Sequence, residues 1–157
     1  MRYVFGMAKS SLDTRGGKGR SLELDFVRLV LAVRTEAAAG NTAHGYLLVL
    51  DERLAARARL WQQKYEAEQC VTVLTHEVTG ALQKSLRGEK RRTVPAVTKP
   101  AAAPAAGSVA SLGEALGERE LRAAIREREP GVVECAPDVE PTLGIRWDFY
   151  GSRSDVA

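Results

Sequence analysis

The chain alternates short apolar runs with longer stretches in which apolar residues recur at helical spacing. Tyr3 to Ala8 is aromatic and apolar without interruption, the pattern of a strand buried on at least one face. Leu22, Phe26, Leu29, Val30, Val33 and Ala37 follow at steps that predict a helix over about 21–39. Ser21 is its expected N-cap, and Glu23 and Asp25 suit the positive end of its dipole. Gly40-Asn41 should stop it. His44 to Leu50 reads as a buried central strand of a parallel sheet. Asp51 then caps a second helix, near 52–67, with Leu54, Ala58, Trp61 and Tyr65 inward and Arg53, Arg57 and Lys64 outward. Cys70 to Leu74, rich in β-branched residues, reads as a third strand.

This order predicts an α/β fold, with a three-stranded parallel or mixed sheet flanked by helices. A short helix over about 77–86 is expected next. Residues 93–110 carry three prolines among alanines and read as an extended, semi-stiff spacer. Beyond it Ser111 and Glu114 form a capping box, and Leu112, Leu116, Leu121 and Ile125 line one side of a helix that Pro130-Gly131 ends. Val132–Cys135 and Leu143–Tyr150 read as two strands, the second setting Ile145, Trp147 and Phe149 against Arg146 and Asp148. The expected organisation is a core over residues 1–88, a basic then Pro/Ala-rich linker over 89–110, and a small acidic α+β appendage over 111–157. An appendage of that size, with neither metal nor disulfide, is marginal alone. It is expected to dock on the first domain, on a second copy or on another chain.

With 157 residues, 45% of them apolar, the chain can bury one core and carry such an appendage. The net charge of +3 conceals a segmental asymmetry. Residues 1–20 hold five basic groups against Asp13, and residues 84–99 hold six against Glu89. Residues 111–157 reverse the sign, with ten acids against six arginines. Cys70 and Cys135 are unclustered, as in a reducing cytosol. The amino terminus is charged too early for a signal peptide, and the longest apolar run, Gly45–Leu50, cannot span a bilayer. The expected location is cytoplasmic, with no membrane contact.

The clearest chemical feature is Arg15-Gly-Gly-Lys-Gly-Arg20, lying between Lys9 and the first helix. Glycines let backbone N–H groups turn toward an anion, and the basic side chains add charge before a helix start. The spacing matches neither a Walker A loop nor a dinucleotide fingerprint. The segment is either a solvated connection or a phosphate cradle. A second basic run near Lys84 to Arg92 suits phosphate contact without sequence readout, or pairing with Glu118, Glu120, Glu127 and Glu129 of the tail. The candidate phosphate-binding residues are Lys9, Arg15, Lys18, Arg20, Lys84, Arg87, Lys90, Arg91 and Arg92. His76-Glu77-Val78-Thr79-Gly80 lacks the second histidine of a zinc-protease helix, and His44 stands alone.

The order of a strand ending in Lys9, a glycine-rich turn, a helix containing Asp25-Phe-Val-Arg28-Leu, the strand Gly45–Leu50, a basic helix and a final strand resembles the PD-(D/E)XK nuclease superfamily over residues 2–75. That resemblance implies an acid–any–lysine triplet on the middle strand and a further acidic residue on the preceding hairpin strand. It further implies a divalent metal held by acids, with the lysine positioning water for phosphodiester cleavage. In the triplet Met7-Ala8-Lys9 the lysine matches, and a methionine stands where the second acid belongs. The strand carrying the first acid would precede Met1, so it is expected to be missing. A thioether does not replace a carboxylate on a hard cation. The implied function is a nucleic-acid-associated, nuclease-like subunit that is non-catalytic or completed from elsewhere. It would bind DNA or RNA backbone or scaffold a larger complex, with a protein partner or self-association through residues 111–157. No cofactor is expected. One alternative is a structural or assembly protein docking through the C-terminal segment. The other is a metal-dependent nuclease in which Lys9 works with a migrated acid, Asp13 or Asp25, and Mg or Mn.

Overall fold

Strand β1, Arg2–Lys9, forms the middle of the molecule because both its faces are apolar. Phe5 and Met7 point to one side and Val4 to the other, and all three are buried. The computed structural model describes residues 1–9, 18–50, 52–76, 109–135, 145 and 147–154, with backbone alone for 18–21 and 109–115. Its elements after β1 are α1 (Lys18–Ala38), β2 (Thr42–Val49), α2 (Glu52–Lys64), β3 (Val71–Thr75), α3 (Val109–Arg128), β4 (Val133–Glu134) and β5 (Phe149–Arg153). They build one five-stranded mixed sheet in the order β3-β2-β1-β5-β4. β1, β2 and β3 run parallel, from Arg2 opposite Thr42 to Lys9 opposite Val49 and from Gly45 opposite Val71 to Val49 opposite Thr75. β5 is antiparallel to both β1 and β4.

Helices cover both faces. On one, Leu22, Phe26, Leu29, Val30 and Val33 of α1 and Leu54, Ala55 and Ala58 of α2 pack on Phe5, Met7, Leu47, Val49 and Val71. Burying a side chain such as Phe26 or Leu29 contributes about 1.5–3 kcal/mol. Trp61 and Tyr65 tilt against Phe26 at 6.1 and 6.3 Å, so this pair is core lining. Leu121 and Ile125 of α3 cover the opposite face, against Val4, Tyr46, Leu48 and Phe149. α3 approaches β1 this closely because Gly6 has no side chain. A Cβ there would lie 2.8 Å from the Phe149 Cβ and 2.9 Å from Ile125 Cδ1. Gly40 and Gly131, both at φ +86, end α1 and the α3 turn in the left-handed conformation.

The predicted α/β class and helix-flanked sheet are present, and the C-terminal segment contributes β4 and β5 to the same sheet. Four local expectations are corrected. α1 begins at Lys18, so Ser21 lies inside the helix and is not its N-cap. Lys18 and Arg20 are good helix formers, and one glycine between them costs only about 1 kcal/mol. Asp25 is therefore beyond the first turn, where no dipole effect reaches it. α3 begins at Val109, ahead of the expected Ser111 cap, because alanine favours extending the helix backward. The last strand starts at Phe149 rather than Leu143. Asp148 is a bend that places Trp147 on the α1 face and Phe149 on the α3 face, breaking the predicted alternation. The expected helix near 77–86, the Asp51 cap, the glycine loop before Lys18 and the spacer up to residue 108 lie outside the described residues.

Candidate functional site

The parallel strands end together. Leu50 N–H donates to the Lys9 carbonyl at 3.4 Å, and His76 N–H to the Val49 carbonyl at 3.3 Å. In open α/β sheets the crevice beyond the strand carboxyl ends, where successive connections diverge, is the usual ligand position. Here β1, β2 and β3 present their carboxyl ends side by side, and β5 runs antiparallel along the other edge of β1. Lys9 is the last residue of β1.

Alternation puts the Lys9 side chain on the α1 face, next above Met7, and α1 brings Asp25 to meet it. The ammonium Nζ lies 2.7 Å from Asp25 Oδ2, and Arg28 Nη1, one helical turn further, lies 3.4 Å from Asp25 Oδ1. Lys9 and Arg28 are 35% and 47% exposed and the carboxylate is 14% exposed, so the two cations face solvent with the acid behind them. On the other side of β1, Asp148 at the entry to β5 accepts the Ala8 N–H through Oδ2 at 2.6 Å. Its own N–H donates to the Gly6 carbonyl at 3.1 Å. The Asp148 carboxylate thus substitutes for a ladder carbonyl. Burial pushes its pKa above the ordinary range. The Ala8 N–H opposes that, Glu118 adds to it, and Lys9 and Arg122 oppose it by charge.

Around this end α3 contributes Glu120, whose Oε2 is 3.6 Å from His76 Nδ1. It also contributes Arg122, which binds Glu118 at 3.1 Å and Glu134 at 2.9 Å. His76, just past β3, thus lies beside Glu120 of α3. Among the described residues no group of three His, Cys, Asp or Glu side chains is arranged as a metal-ligand set.

Of the residues singled out from the sequence, Lys9 and Asp25 are brought into direct contact. Lys18 and Arg20 belong to the first turn of α1, the end of the helix that follows β1. Asp13, Arg15, Lys84, Arg87, Lys90, Arg91 and Arg92 lie outside the described residues. Two members were missed. Arg28 was legible as the fourth residue of Asp25-Phe-Val-Arg28, an i,i+3 pair. Asp148 carried no usable local signal, since its role arises from a strand pairing across the whole chain.

A separate polar cluster lies at the opposite end of the sheet. Glu129, 5% exposed, accepts Arg2 Nε and Nη2 at 2.9 and 2.6 Å and the Tyr46 hydroxyl at 2.8 Å. Burial tends to raise the Glu129 pKa, but the hydrogen bonds from Arg2 and Tyr46 and the Arg2 charge outweigh it and hold the carboxyl below its usual range. His44 Nε2 bonds the Thr72 hydroxyl at 2.8 Å, and burial, ahead of the neighbouring charges, lowers its pKa. Every member has a partner, so this cluster clasps β1, β2 and α3 together.

Among the described residues no helix is long and apolar enough to cross a membrane. No protein-family model matches the chain, and neither a curated protein nor a solved structure matches it.

Proposed function

We propose that this chain is a nucleic-acid-associated protein with a nuclease-like core, which binds the phosphate backbone at the carboxyl end of β1 without cleaving it. One observation carries the reading. The antiparallel neighbour of β1 brings an acid, Asp148, against the Met7-Ala8-Lys9 triplet. The PD-(D/E)XK resemblance implies an acid on the hairpin strand preceding the lysine-bearing one; here an acid stands instead at the entry to the C-terminal β5, the antiparallel neighbour of β1. Lys9 and Arg28 offer charge at the rim, and the basic residues Lys18 and Arg20 belong to the start of α1 close in sequence. Contacts of this kind bind phosphate independently of base sequence.

The donor set does not fit a hard divalent cation. Met7 is buried and offers sulfur, one Asp148 oxygen holds Ala8, and each Asp25 oxygen faces a cation. No hydrolytic step is therefore assigned. The same pair, Asp25 and Asp148 on either side of Lys9, is the observation favouring metal-dependent cleavage as the second reading. Leu121, Ile125 and Phe149 are spent on this chain's own sheet, so an assembly role for residues 111–157 would have to use other side chains.

The test is binding of short labelled DNA duplex, DNA single strand and RNA across a salt series. The reading expects affinity that falls steeply with salt, and a shallower slope after Lys9→Ala or after neutralising Arg15, Lys18 and Arg20. Absence of binding at low salt, or binding indifferent to all these changes, would overturn it.

A further inference from the structure

We infer that Asp25 is an internal competitor for the phosphate-binding cations: its carboxylate occupies Lys9 and Arg28 until a nucleic-acid phosphate displaces it. The inference rests on the phosphate-binding reading of this end of the sheet and adds a determinant of affinity to it. Asp25 places one oxygen on each cation, at 2.7 Å from Lys9 and 3.4 Å from Arg28. A phosphate would present the same groups with a similar pair of oxygens. Asp25 is too far along α1 to serve the helix dipole, and among the described residues its side-chain partners are Lys9 and Arg28.

The exposure gradient favours exchange over permanent pairing. The acid is the inner member, and both cations reach solvent. Partly exposed ion pairs are weak, because water and salt screen them, so a polyanion can compete. The lysine stem has four rotatable bonds, which lets Nζ turn outward while the strand stays fixed. An acid acting as a ligand or as a catalytic group would instead be needed for binding or turnover, so the two roles predict opposite signs.

The experiment measures affinity of the full chain for a labelled DNA duplex at fixed and varied salt, for wild type, Asp25→Asn, Lys9→Met and the double variant. Asp25→Asn should tighten binding by roughly three- to tenfold and steepen the salt dependence by about one charge. Lys9→Met should weaken binding, and in its background Asp25→Asn should lose most of its effect, because the cation it competes for is gone. Tightening that persists undiminished without Lys9 would reduce Asp25 to a general negative charge and overturn the inference. Unchanged or weaker binding by Asp25→Asn, with Lys9 still required, would also overturn it while leaving the phosphate-binding reading intact. Failure of every form to bind at low salt would remove both. Asp25→Ser, carried through the same series with melting curves for each protein, guards against a folding defect peculiar to the amide.

Discussion

The carboxylate of Asp148 accepts the backbone N–H of Ala8 at 2.6 Å, joining residues 140 positions apart. The bond closes the ladder where β5 bends away from β1, and it places an acid beside Lys9. Its energetic sign is mixed. The carboxylate satisfies a backbone donor, yet burial penalises its charge, and the pKa is raised.

Asparagine at position 148 separates those contributions. Its amide oxygen can accept the Ala8 N–H without a buried charge, so Asp148→Asn should match or exceed wild-type stability at neutral pH. Asp148→Ala leaves the donor unmatched and should cost about 1–3 kcal/mol. Because the folded pKa is raised, the ionised carboxyl opposes folding most strongly above that pKa, and the burden lifts as pH falls through it. Denaturant melts of the three proteins from neutral to mildly acidic pH should therefore show the advantage of Asp148→Asn shrinking. An advantage that grew on acidification would contradict the assignment.

The Glu129 clasp should behave in the opposite way. Its folded pKa is lowered, so its stabilisation is full above the unfolded carboxyl value and is lost as pH falls through the folded one. His44, also lowered, contributes stability present above its unfolded value and lost as pH falls through the folded one. Glu129→Ala removes the acceptor of two Arg2 hydrogen bonds and of the Tyr46 hydroxyl and should cost about 3 kcal/mol, near the low end for breaking a buried pair because Arg2 keeps some water. The loss should narrow at acidic pH, where wild type gives up the same interaction. Urea melts at neutral and acidic pH would measure it.

Gly6 is required by close approach, and Gly6→Ala tests that without touching a charge. The new methyl would meet Phe149 Cβ and Ile125 Cδ1 inside 3.0 Å, so β5 or α3 must shift. Overpacking of this kind should cost about 1–3 kcal/mol. Unaltered stability would mean that α3 sits less tightly on β1 than the packing shows.

Incubating the chain with DNA or RNA and Mg or Mn should give no cleavage. The triplet offers Met7 where an oxygen ligand is needed, and Asp25 is engaged by Lys9 and Arg28. Turnover that follows the protein through purification and disappears in Lys9→Ala would establish the second reading. Turnover lost in Asp148→Asn as well would name the acid.

Periodicity made the first half of the fold legible. The buried stripe Leu22, Phe26, Leu29 and Val33 and the runs at β1, β2 and β3 are local patterns, and local patterns set which face an element must bury. Lys9 was visible as the charge ending such a run, and the α1 repeat predicted a helix containing Asp25. Their contact needed tertiary structure, because a sequence gives helix and strand faces but not the height at which one crosses the other. The start of α1 also escaped a local rule. Ser21 looks like a cap, yet the favourable neighbours Lys18 and Arg20 carry the helix past it. What the sequence could not determine was the partner of β1 on its other side. Ile145 to Tyr150 shows strand-like alternation, but strand pairing depends on long-range register and on space for α3, which Gly6 provides. Only that pairing brings Asp148 to Ala8 and Glu129 to Arg2 and Tyr46, since apolar burial positions the tail and the polar groups then find partners at the strand ends.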